Sequence, residues 1–190
     1  MSETDGRRLR GARKRESIIA AALRLVEREG VSKVTHRAVA AEAGVPSGSV
    51  SYYFATLDDL LIATLTSATE DYTDRLRELT EQTGDQLEAL AQLIAECPTE
   101  SGRARAIAER ELNLLATRRP ALRPVARTWR EAVADLAHGF TADPAAVCET
   151  LAVVDGLCVG FLLEEEQPDL ELIRAVLRNA LRIGTTPETS

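Results

Sequence analysis

Residues 34–60 read VTHRAVAAEAGVPSGSVSYYFATLDDL, and the fold follows from how this stretch divides. Thr35 is an N-cap for a helix over 35–43, with Ala38, Val39 and Ala43 as a small apolar face. Gly44 supplies the left-handed residue that ends this helix and reverses the chain, and Val45 plugs the corner. A second helix is expected over 47–54, with Val50, Tyr53 and Phe54 inward and Ser47, Gly48, Ser49, Ser51 and Tyr52 outward. Thr56 and Asp59, three apart, form a capping box that opens the next helix.

A small helix, a glycine turn and a short second helix are the parts of a helix-turn-helix, whose second helix enters the DNA major groove. With Thr35, Ala38, Ala41, Gly44, Val45, Gly48, Ser49, Tyr52, Tyr53, Phe54 and Leu57 in order, the stretch resembles the DNA-binding domain of TetR-family transcriptional regulators. The resemblance covers about residues 13–65, and the helical remainder is compatible with it. Three positions depart from the family pattern. Leu57 stands where a phosphate-binding lysine is common, Ser51 where a tyrosine is frequent, and Pro46 where a capping serine is usual.

Composition agrees with a soluble helical protein. Hydrophobic residues are 45% of the chain and aromatics only 4%, so an aliphatic core of Ala and Leu is expected. Cys97, Cys148 and Cys158 have no spacing typical of a disulfide scaffold or zinc site, and His36 and His138 stand far apart. No metal, cofactor or catalytic cluster is expected, which weighs against an enzyme. No apolar segment follows the basic start, so a signal peptide is not expected and the location is cytoplasmic. The most apolar run, 151–163, contains Asp155 and reads as too short for a bilayer, so no membrane is expected.

Charge is segregated. Up to Leu57 the chain holds ten Lys or Arg against six Asp or Glu, and the remainder holds thirteen against twenty-four, which closes on the net −7. A basic head on an acidic body suits a protein that binds nucleic acid at one end. Residues 1–12 read as a disordered basic arm. Its run of Arg7, Arg8 and Arg10, continuing through Arg13, Lys14 and Arg15, is assigned to DNA phosphates or the minor groove. His36, on the first helix of the motif, is expected at the surface near a phosphate.

The expected fold is all-α, with about nine helices. A DNA-binding domain spans 1–56, including the arm and a three-helix helix-turn-helix, and a helical bundle for effector binding and dimerisation spans 57–190. The first helix is expected over 13–29, and further helices over 57–80, 85–96, 103–117, 121–138, 143–164 and from 168 to about 183. The tail 185–190 is expected to fray. In the eighth helix, Val147, Leu151, Val154, Cys158 and Phe161 form one apolar stripe, and Ala152, Val153, Leu157, Val159 and Leu163 cover most of the remaining circumference. Gly156 and Gly160 allow close approach of another helix, and Leu170, Ile173, Leu177, Ala180 and Leu181 give the ninth helix a matching stripe.

The family resemblance implies a homodimer through these two helices, with Leu151, Gly156, Gly160, Leu163, Ile173 and Leu177 at the interface. It also implies a small-molecule effector pocket among the fifth to eighth helices, for which Trp129, Asn113, Glu109 and Cys158 are the candidates. The function expected is a ligand-responsive repressor on a palindromic double-stranded DNA operator. The alternatives are an effector-free architectural or activating DNA-binding protein and a small helical enzyme. Ser47, Gly48, Ser51 and Tyr52 are the groove candidates, with Ser49, Tyr53, Thr35, His36, Arg13 and Lys14 as further DNA-binding candidates.

Overall fold

Alanine- and leucine-rich segments punctuated by Gly, Pro and Asp give helices and sharp stops. The computed structural model describes residues 3–164 and 168–184, and the expected fraying of 185–190 lies outside them. Among the described residues there are nine α-helices and no strand: α1 (Glu3–Glu29), α2 (His36–Ala43), α3 (Ser47–Tyr53), α4 (Leu57–Thr83), α5 (Gln86–Glu96), α6 (Glu100–Arg118), α7 (Arg123–His138), α8 (Pro144–Leu163) and α9 (Leu170–Ala180). Short 3-10 turns at Val31–Lys33 and Pro120–Leu122 precede α2 and α7.

The capping chemistry explains most boundaries. Thr35 Oγ1 accepts from Ala38 N at 3.1 Å, and Gly44 ends α2 with φ 65°. Thr56 and Asp59 cap each other reciprocally at 3.1 and 2.9 Å, and the Thr56 hydrogen bonds hold the Asp59 carboxyl below its ordinary pKa. Asp85, Asp143 and Asp169 accept from the first turns of α5, α8 and α9.

The first helix corrects the expectation of a disordered arm. It begins at Glu3, ten residues before the predicted start at Arg13. Extending an existing helix fixes one residue per added hydrogen bond, whereas a new helix must first nucleate. The arm therefore presents its basic side chains on a helical frame.

Two compact units divide the chain, with boundaries inside α4, α6 and near the start of α7. The first unit takes the chain up to Thr69 together with Ile107–Ala126. Its core joins Ile18, Ala22, Val26, Val39, Val50, Phe54, Leu60, Leu61 and Leu65 to Leu112 and Leu122. Glu111 Oε2 accepts from Val31 N at 2.6 Å, so α6 satisfies a backbone donor in the turn after α1. Arg24 and Arg28 both hold Glu42, tying α1 to α2 and lowering the pKa of that carboxyl, Arg28 contributing most.

The second unit comprises Glu70–Ala106 and the chain from Arg127 onward. Leu90, Ala91, Ile94, Val133, Ala137, Val154, Ile173 and Leu177 form its core. Gly102 fits where no other residue does: an added Cβ would fall on the Glu96 carbonyl oxygen. Arg174 on α9 grips Glu88 on α5 through Nε and Nη2, each at 2.6 Å. That pairing, aided by Gln92, depresses the Glu88 pKa to about 2. A carboxyl whose folded pKa is depressed stabilises fully above its unfolded value of 4.5 and loses that contribution as pH falls toward about 2. Urea titrations between pH 5 and pH 2 should show a fall in stability that Arg174→Met flattens. Equal slopes in parent and variant would refute the assignment.

Candidate nucleic-acid interface and cavity

Val50 and Phe54 are buried on the inner side of α3, which fixes what the outer side presents. Ser47, Gly48 and Ser51 are exposed, and Tyr52 is 82% exposed. A Cβ placed on Gly48 would meet nothing within 4 Å, so the fold itself does not require glycine there. Ser49 is half-buried. Tyr53 is also half-buried, its ring meeting Tyr52 edge-on at 5.1 Å. The Tyr53 hydroxyl lies 3.7 Å from where a Cβ on Gly11 would stand, so the last turn of α3 leans on α1.

Thr35 is exposed at the start of α2, as its capping role requires. His36, expected at the surface, is half-buried. Its Nε2 donates to the Phe54 carbonyl at 2.9 Å, closing the helix-turn-helix from the first residue of α2 to the residue that ends α3. A lone carbonyl at a helix end needs a donor, and His36 is the side chain within reach. Arg8, Arg10, Arg13 and Lys14 are exposed and make no ion pair among the described residues. Arg15 lies over the Phe54 ring at 5.2 Å.

In the second unit a cavity of about 410 Å³ opens between α4, α5 and α6. Its wall is built from Asp71, Tyr72 and Arg75 of α4, Leu93 and Glu96 of α5, Cys97 and Thr99 of the connecting turn, and Gly102 and Arg105 of α6. The volume is within the range of small-molecule sites. Arg75 Nε lies 3.1 Å from Glu96 Oε2, so these two charges cancel across the cavity, while Asp71 makes no ion pair among the described residues. Tyr72 is backed by Trp129, ring centroids 5.5 Å apart. A second cavity, of about 370 Å³, lies between α4, α5 and α7 and is lined by Leu76, Gln86 and Leu136 among others.

None of the four residues expected at a pocket lines either cavity. Trp129 stands behind Tyr72, and Cys158 lies behind Cys97. Glu109 and Asn113 belong to the first unit, where Asn113 Nδ2 donates to the Glu109 carbonyl at 3.1 Å and to its carboxylate. These two polar residues satisfy each other four apart on one helix, which accounts for them without a ligand.

The residues expected at an interface also separate. Gly156 and Leu163 are exposed, Leu163 by 81%, and Leu151 and Gly160 are half-buried. Ile173 and Leu177 are fully buried in their own chain, because the α9 stripe packs on α5 and α8. The apolar residue that α9 leaves outward is Leu172, 53% exposed. Helix α8 covers Pro144–Leu163, 20 residues, close to the 143–164 expected. By length and composition alone it is long and apolar enough to cross a membrane, a test that the core helix of a soluble protein also passes, and 28% of its most apolar window is buried within the chain.

The family described as "Bacterial regulatory proteins, tetR family" matches residues 18–64, and "Tetracyclin repressor-like, C-terminal domain" matches residues 81–183. The multidrug binding protein EbrR, solved with ethidium, is 41% identical over 88% of this chain and 98% of that chain, with a TM-score of 0.75. Its complex with malachite green gives 41% identity, 87% and 96% coverage and a TM-score of 0.74. A TetR-family member from Streptomyces coelicolor A3 is 41% identical over 88% of this chain and 97% of that chain, with a TM-score of 0.77. No curated protein matches. The chain belongs to the TetR family and is a DNA-binding transcriptional regulator.

Proposed function

We propose that the protein is a dimeric, cytoplasmic repressor that holds a palindromic operator and releases it on binding an aromatic cation. The observation that carries the DNA half is the outer side of α3, where Ser47, Gly48, Ser51 and Tyr52 are exposed above a buried Val50. Bare backbone at Gly48 admits close approach to the groove, and the α2 N-terminus beside Thr35 suits a phosphate. Arg8, Arg10, Arg13 and Lys14 supply the backbone contacts that Leu57 cannot.

The dimer is proposed through α8 and the outward edge of α9. A Cβ on either Gly156 or Gly160 would meet nothing within 4 Å, so both glycines keep a smooth surface that the chain itself does not use. Val159, Leu163 and Leu172 border it as exposed apolar side chains. A second copy covering this face explains an apolar helix that its own chain leaves open, and a two-fold pairing is the commonest closed assembly.

EbrR was solved with ethidium and with malachite green, both aromatic cations. The cavity between α4, α5 and α6 offers Tyr72 for stacking and the Asp71 carboxylate for charge. An effector seated there would favour one arrangement of the dimer over another only by its differential affinity for the two. Sequencing duplexes retained from a random pool should return a palindrome, and malachite green should lower its retention. Tyr72→Ala and Asp71→Asn should each weaken dye binding to the protein roughly tenfold, about 1–2 kcal/mol as for a cation–π or charged contact. A dye that acts on the DNA itself would do so with every variant, so the deciding readout is dye binding to the protein without DNA, and unchanged affinity in both variants would refute the cavity as the effector site.

A further inference from the structure

We propose that Cys97 and Cys158 form an oxidisable thiol pair, which a hydroperoxide entering the α4–α5–α6 cavity converts into an intrachain disulfide. Neither cysteine is bridged in this structure, yet their Sγ atoms lie 3.3 Å apart. The two residues are 61 positions apart, so only the packing of the second unit brings them together. Cys97 is the C-cap of α5, just before Pro98, and its thiol also points at the Leu93 carbonyl 3.8 Å away. Cys158 lies on the inward stripe of α8 with Val147 and Val154. Both are buried, and buried thiols are ordinarily inert.

Two features set this pair apart. Cys97 is one of the residues that line the cavity, so a reagent of a few atoms entering there comes within reach of this residue. Cys158 stands directly behind as the resolving thiol. Bringing the sulfurs to a bonded separation of about 2.05 Å requires closing the gap by only about 1 Å.

The chemistry balances with the hydroperoxide as oxidant. The Cys97 thiolate attacks one peroxide oxygen, the O–O bond breaks, and Cys97 becomes a sulfenic acid while the other oxygen leaves as an alcohol, or as water from hydrogen peroxide. The Cys158 thiolate then attacks the Cys97 sulfur, forming the S–S bond and expelling hydroxide, which is protonated to water. Two thiols and one hydroperoxide give one disulfide, one alcohol and one water, the hydrogens coming from the two thiols. The bond would tie the end of α5, with its cavity-lining Glu96 and Cys97, to the middle of α8. Disulfides of this kind in reducing compartments are transient and redox-sensing.

Formation of the bond does not depend on what the cavity binds, and the test reads the bond itself. The exposed Cys148 would add links between chains, so the experiment uses Cys148→Ser. That protein is treated with hydrogen peroxide, its remaining thiols are alkylated, and the unreduced digest is read by mass spectrometry. Cys97 and Cys158 should disappear together, with a peptide joining them that is lighter by two hydrogens and is released by dithiothreitol. Adding Cys158→Ala should leave Cys97 to overoxidise to the sulfinic acid. If both thiols remain alkylatable, or if each is oxidised separately with no linked peptide, the pair is not a redox site.

Discussion

Gly160→Leu should convert the proposed operator-binding dimer into a monomer that folds at least as well as its parent. The position lies inside α8, and a Cβ there meets nothing of its own chain within 4 Å, so the larger side chain has room in the monomer. Replacing glycine in a helix interior by leucine gains roughly 0.5–1 kcal/mol in propensity. In the proposed dimer the same side chain holds the partner's helix away, because small residues at a crossing are what let two backbones approach. Folding and association therefore move in opposite directions, which no general loss of stability would produce. Losing one of two linked heads removes the effective-concentration advantage, so operator affinity should drop by roughly 10²–10⁴. Light scattering at micromolar concentration and thermal melts check the first two effects, and operator titration the third. A monomeric parent, or a variant that remains dimeric, would overturn the interface.

Sequence reading succeeded where the signals were local. Thr35, Gly44 and the Thr56–Asp59 pair act within a turn of their own position, and each bond or dihedral expected of them is present. Misreadings arose where a pattern names a face but not its partner. The α9 stripe of Ile173 and Leu177 is apolar whether it meets its own chain or a second copy, and it meets its own. His36 beside a DNA motif read as a phosphate ligand, but the Phe54 carbonyl that it satisfies is 18 residues away and only folding brings it near.

The cavity was hidden for a related reason. Asp71, Tyr72, Arg75 and Glu96 look like ordinary helix-surface residues in sequence, and three separate segments must pack before they converge. Scarcity of aromatics was the usable signal. With one Trp and three Tyr in the chain, Tyr72 and Trp129 are the ones outside the DNA-binding motif, and their rings pair. Weighing Trp129 together with Tyr72 would have pointed to α4, the helix that contributes Asp71, Tyr72 and Arg75 to this cavity. The arm failed on composition: a charged stretch reads as disordered, although α1 carries it as a continuation.

The helical arm changes how its role is tested. Because Arg8, Arg10 and Arg13 sit on α1, alanine at all three preserves the helix and removes only charge. For every phosphate that the variant no longer neutralises, binding to operator and random DNA should weaken alike, and the log–log salt dependence should flatten by roughly one unit. Tyr52→Ala acts differently. The side chain is 82% exposed on the outer side of α3, and its removal leaves Val50 and Phe54 buried as before, so the domain should melt as the parent does. If Tyr52 reads base edges, operator binding should fall by about 1–3 kcal/mol while random DNA binding and the salt slope hold. Titrations of both variants against both DNAs over a salt series separate positioning from reading. An unchanged slope in the triple-alanine protein would remove the arm from the interface. Equal losses on both DNAs for Tyr52→Ala would move Tyr52 from the base edges to the backbone.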